Sequence, residues 1–147
     1  MLFPTQVLFR FIDKNQIPIP NLIVFFELLA SSKNNYSLGR FITSEKGEIS
    51  LSKKLINNKI QKAMKEYPMD YNCLLVNCKD VLQVIIEDWR TISVHVQNLA
   101  KFYPKESDNL NRLLSRSVNE SYKNQTLSIE VNESMKDIAI TIDRKLT

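Results

Sequence analysis

Glycine, cysteine and histidine are scarce in this chain, with two, two and one among 147 residues, and each scarcity removes a class of function. Neither Gly39 nor Gly47 stands in a Gly-X-Ser-X-Gly elbow or in a glycine-rich loop that could cradle phosphate. The single histidine, His95, leaves a serine or cysteine nucleophile little choice of base. Cys73 and Cys78 with one distant histidine fall short of the four ligands of a structural zinc site. Without a secretion signal the two cysteines read as buried thiols, although their spacing permits a small bridge in an oxidising compartment. Asn-X-Ser/Thr at Asn35, Asn119, Asn124 and Asn132 carries no glycosylation meaning without that signal.

Long apolar runs are also missing. None approaches the roughly 20 residues that span a bilayer, and Met1-Leu-Phe-Pro-Thr-Gln6 has no basic and apolar regions of a signal peptide. The expectation is cytoplasmic synthesis, with a leaderless export route compatible with it. A net charge of +4, from 20 basic and 16 acidic residues, is well short of a nucleic-acid binder's basic stripe.

What the chain does have is alternation. In Val7-Leu-Phe-Arg-Phe-Ile-Asp13, Val7, Phe9 and Phe11 share one face. After Lys14-Asn-Gln-Ile-Pro-Ile-Pro20, where two prolines enforce an extended edge, Leu22, Val24, Phe26 and Leu28 share a face. Ile23 and Phe25 on the opposite face imply cover there too, as a helix would give. Ser31–Ser37 reads as a loop. Gly39–Ser44 and Glu48–Ser52 read as a hairpin around Gly47.

Ser52 opens a helix through Tyr67 that ends at Pro68, with Ile56, Ile60, Ala63 and Met64 on one face. Met69–Val76 reads as a loop and short strand. Val81–Glu87 and Arg90–Gln97 read as a hairpin turning at Asp88-Trp89, because Thr91, Ile92, Val94 and Val96 are β-branched. Ser107-Asp108 begins a helix carrying Leu110, Leu113, Leu114 and Val118. Thr126–Val131 and Lys136–Asp143 alternate and are expected to pair as a last hairpin.

Asp13-Lys-Asn-Gln-Ile-Pro-Ile-Pro-Asn21 before an apolar strand, then Thr43-Ser-Glu-Lys-Gly47, resembles the prealbumin-like (transthyretin-like, carboxypeptidase-regulatory-like) β-sandwich group. The resemblance covers residues 7–51. Asn15-Gln16 stands where the group usually has glycine, and Ser44 where it usually has aspartate. Residues 67–90 are faintly similar to β-rich accessory regions of bacterial lipase-type α/β-hydrolases. The resemblance implies a mainly β fold: one prealbumin-like sandwich domain over residues 1–147, with one or two inserted helices at about 52–67 and 107–118. It also implies a non-catalytic module for attachment or partner binding, though fold analogy alone does not assign function.

Candidate contacts are few. Trp89-Arg90 at the expected hairpin tip has hot-spot composition, and Tyr103 beside Pro104 is a second aromatic candidate. Lys54, Lys62 and Lys65 line one helix face that could meet anionic lipid; a solvated face is the plainer reading. The acids Glu87-Asp88, Asp70 and Asp80 read as solvated turns rather than a catalytic pair. The sequence thus points to a non-enzymatic protein-interaction or accessory module, needing no cofactor and no nucleic acid, that docks onto a larger partner such as a secreted or lipase-type effector. The alternatives are a small hydrolase using His95 or Asp70, and a peripheral binder of anionic membrane through the lysine face.

Overall fold

The computed structural model describes residues 4–30, 35–66, 78–132 and 134–146. Two sheets face each other across an apolar core. The first is three-stranded and is built on β1 (Gln6–Ile12), with β4 (Glu48–Ser52) antiparallel on one side and β7 (Asp137–Thr141) parallel on the other. The second, wholly antiparallel, runs β3 (Asn35–Ile42), β2 (Ile23–Ala30), β5 (Cys78–Ile86), β6 (Gln125–Glu130). The chain is mainly β in a sandwich-like arrangement.

Alternation places the core. Val7, Phe9 and Phe11 of β1 meet Val24, Phe26 and Leu28 of β2, all six buried. The Phe9 and Phe26 rings touch across the layers at 5.4 Å between centroids, and Phe26 packs edge-on against Phe41 at 5.7 Å. Helix α1 (Lys53–Glu66) starts where Ser52 Oγ accepts from the Leu55 amide, and drops Ile56 into this core. Ile23 faces outward from β2, as its sequence position implied. It is covered by α2 (Trp89–Ala100) and α3 (Pro104–Arg116), which form an antiparallel helical hairpin around Ile92, Leu110 and Leu114.

Five expectations change. Arg90–Gln97 is helical, so three α-helices rather than one or two are present among the described residues. Asp88 caps α2 by accepting from the Thr91 amide (2.9 Å) and hydroxyl (2.9 Å), and Ile92, Val96 and Leu99 then fall on one helical face. Capping and tertiary burial outweigh the strand preference of its β-branched residues. The second expected helix starts at Pro104 rather than Ser107, since proline suits a first turn. Ser107 is buried instead and donates to the Val96 carbonyl.

Gly39–Ser44 and Glu48–Ser52 do not pair, because β3 and β4 lie in different sheets. Buried Thr43 holds the crossing: its hydroxyl accepts from the Leu22 amide and donates to the Ile19 carbonyl. Nor do β6 and β7 form a hairpin, since β7 extends the sheet of β1 and β6 that of β5. Residues 35–37, expected in a loop, belong to β3. The expected Met69–Val76 strand, with Asp70 and Cys73, lies outside the described residues.

Asn119 fastens the hairpin to the sandwich. Fully buried, it accepts from the Ile23 amide and donates to the Ile23 and Glu87 carbonyls. One amide side chain thus bridges the start of β2 and the segment after β5, satisfying backbone groups that no strand pairs there.

Candidate interaction surfaces

His95 and Glu87, two of the residues the sequence offers for chemistry, meet at the foot of the helical hairpin. Arg40 on β3 lies over the Phe25 ring (4.5 Å) and forms a two-pronged ion pair with Glu87 at 2.9 and 3.2 Å. His95 projects from α2 toward this pair rather than from a strand. Burial, and secondarily the Arg40 guanidinium, push its pKa below the ordinary 6.5, with Glu87 opposing. Ser93 Oγ is buried without a hydrogen-bond partner. It stands two residues before His95, and such positions on a helix do not face each other. Ser93, His95 and Glu87 therefore do not compose a nucleophile–base–carboxylate relay. Among the described residues, no three histidine, cysteine or acidic side chains come together as a metal cluster.

The six candidate contact residues are dispersed. Trp89 (46% exposed) and Arg90 occupy the first turn of α2, not a hairpin tip. The capping Asp88 has its carboxyl held below the usual range by the Thr91 amide above all, and its second oxygen lies 3.9 Å from Lys145 Nζ. Tyr103 lies beyond the far end of α2, a helix about 18 Å long at 1.5 Å per residue, with Trp89 at its start. Lys54 is exposed on the first turn of α1, a separate element from the hairpin. Lys62 and Lys65 lie farther along α1, and their side chains are outside the described set.

Two surfaces escaped sequence analysis. Phe102, next to Tyr103, is 78% exposed at the apex of the α2–α3 hairpin. The other lies where the sheets end side by side. The Gln125 side chain donates to the Asp143 carbonyl and accepts from the Asp143 amide, Lys123 donates to the same carbonyl, and Tyr122 bridges Arg144. Beside this clamp lies a groove of ≈ 230 Å³ lined by Val84, Ile86, Leu127, Ile140 and Ile142 together with the polar Gln125, Thr126, Thr141 and Asp143. Leu127 faces inward opposite Val84 yet remains 46% exposed, so the sandwich interior is reachable there. Lys123 and Asn132 bracket this strand in sequence, but nothing in its alternation announces that one edge stays open.

A wider cleft of ≈ 650 Å³ between α3 and the β3–β4 crossing is lined by Arg40, Arg116, Glu45 and Glu48 among others. Its mixed charges select no ligand sign. No helix among the described residues is long and apolar enough to cross a membrane. No protein-family model matches the chain, and no curated protein matches it.

Proposed function

We propose that this chain is a non-catalytic, single-domain module of the prealbumin-like type that docks onto a larger protein by accepting one of its extended segments along β6. The observation that carries the reading is the open groove under half-exposed Leu127. Beta-strand addition uses two things, a row of free backbone groups and pockets for alternate side chains. β6 pairs with β5 on one side and with no strand on the other among the described residues, and the groove supplies the pockets.

Sheet edges are ordinarily blunted by lysine, proline, bulges or shortness. β3 is interrupted by a register shift opposite Phe26 and Glu27, and β4 and β7 span five residues each. β6 has six residues, no lysine, no proline and one charge at its end, Glu130. The prealbumin-like assignment is supported by the motif residues themselves. Gln16, at the usual glycine position, takes a left-handed φ of 64°. Ser44, at the usual aspartate position, accepts from the Lys46 and Glu48 amides as an aspartate would.

The test is capture of partners from the native host with the wild-type chain and with Leu127→Lys. The wild type is expected to retain one stoichiometric protein, and Leu127→Lys to lose it while melting within a few degrees of wild type. Equal capture by both, or no stoichiometric protein with the wild type, overturns the reading.

A further inference from the structure

The distal half of the α2–α3 hairpin projects from the body of the molecule. From Gln97 to Glu106 every residue is exposed except Leu99, which is half-buried. The apex is nevertheless well ordered by its backbone: the Phe102 and Tyr103 amides both donate to the Leu99 carbonyl, at 3.1 and 2.6 Å, and Pro104 opens α3. Two large aromatic side chains, 78% and 58% exposed, are thus held outward at the turn between the two helices.

Basic residues flank them. Lys101 and Lys105 stand on either side of the pair, both exposed. Along α3 the spacing Lys105, Asn109, Arg112, Arg116 puts four exposed residues in one stripe that ends at the apex. Glu106 and Asp108 lie to either side of that stripe, not within it.

The geometry points to a membrane-docking tip, in which Phe102 and Tyr103 enter the interfacial region of an anionic phospholipid bilayer and Lys101 and Lys105 meet its headgroups. Phe102 supplies the apolar side chain that gains from leaving water, and Tyr103 carries a phenol suited to headgroup depth. The lysines decide between a bilayer and a protein. Lysine is depleted at protein interfaces, whereas aromatic residues with basic neighbours are the composition of a contact with anionic lipid. This site is separate from the β6 groove, so one chain could hold a partner protein at a membrane.

The test uses sedimentation with phosphatidylcholine vesicles made with and without phosphatidylserine. Wild type is expected to bind only the phosphatidylserine vesicles, and more weakly as salt rises. Phe102→Ala with Tyr103→Ala should weaken binding at least about tenfold. Lys101→Glu with Lys105→Glu should weaken it about as much, from roughly fivefold per lost cation. Both variants should keep the wild-type melting temperature because the replaced side chains are exposed, and Leu127→Lys should bind vesicles normally. Absence of phosphatidylserine-dependent binding by wild type overturns the proposal. So does unchanged vesicle binding by the aromatic variant, or loss in that variant of a captured protein with vesicle binding intact.

Discussion

A Cβ on Gly47 would sit 2.8 Å from the Phe11 carbonyl oxygen and 2.9 Å from the Ile19 amide nitrogen, both backbone atoms that have little room to move. Its φ of 74° is also one that side chains disfavour. The tightness has a purpose, because the Gly47 carbonyl accepts from the Phe11 amide, while Phe11 accepts from Ile19, so three segments meet at one point. Gln16 solves the opposite problem, adopting a left-handed φ without being glycine, with Asp13 accepting from the Asn15 and Ile17 amides around it. The two positions therefore respond in opposite directions. Gly47→Ala is expected to cost about 3 kcal/mol of unfolding free energy. Gln16→Gly should add up to about 1 kcal/mol, the left-handed strain relieved less the added freedom of the unfolded chain. Urea unfolding of both variants measures this. A loss below about 1 kcal/mol for Gly47→Ala would mean that the junction yields.

At the scale of the element, α2 departs furthest from its sequence reading, and it carries the histidine whose pKa is lowered by burial. His95 faces Arg40 from β3 and Glu87 from the end of β5, and is held below its ordinary pKa by burial first and Arg40 second. A lowered folded-state pKa means that the unfolded chain binds the proton more readily, so stability falls as pH drops through 6.5 toward the folded value. The lowered Asp88 carboxyl acts only near and below its ordinary 3.8, outside this window. A thermal melt is expected to fall between pH 7 and about pH 5.5 in wild type, and less in His95→Gln. Equal slopes in the two proteins would remove His95 as the cause. Strands such as β1 and β2 were legible because Val7, Phe9 and Phe11, or Val24, Phe26 and Leu28, repeat every second residue and are all buried. In α2, Thr91, Ile92, Val94 and Val96 carry the local preference of a strand, while the helix is decided by the Asp88 cap and by burial against residues far along the chain. Trp89 and Tyr103 stood out as contact candidates by residue type, but the hairpin tip expected for Trp89 is the first turn of a helix. Phe102 reads as a core residue until the hairpin that lifts it out is known, and the β6 groove depends on sheet partners that no local pattern encodes.

Across the whole molecule, the chain passes repeatedly from one sheet to the other, and side chains pack the two layers together. Adjacent segments are dealt to opposite layers: β1 then β2, β3 then β4, β6 then β7. Of the consecutive strands, β2 pairs with β3 and β5 with β6, while each crossing puts neighbours in opposite layers that meet only through side chains. Phe9 and Phe26 are the centre of that contact, both fully buried, one from each sheet, with centroids 5.4 Å apart and planes tilted by 46°. Each truncated singly to leucine should destabilise by about 1–2 kcal/mol through lost apolar area and a partial cavity. Because the rings act on each other as well as on the core, the double variant should cost less than the sum of the two, by about 0.5–1.5 kcal/mol. Leu38 and Ile140, buried in the same core but without a ring contact to Phe9 in common, provide the reference. A cycle of Phe9→Leu and Phe26→Leu, followed by denaturant unfolding, reads the coupling directly. Strict additivity would show that the layers are held by the core at large, and that this aromatic pair only fills space within it.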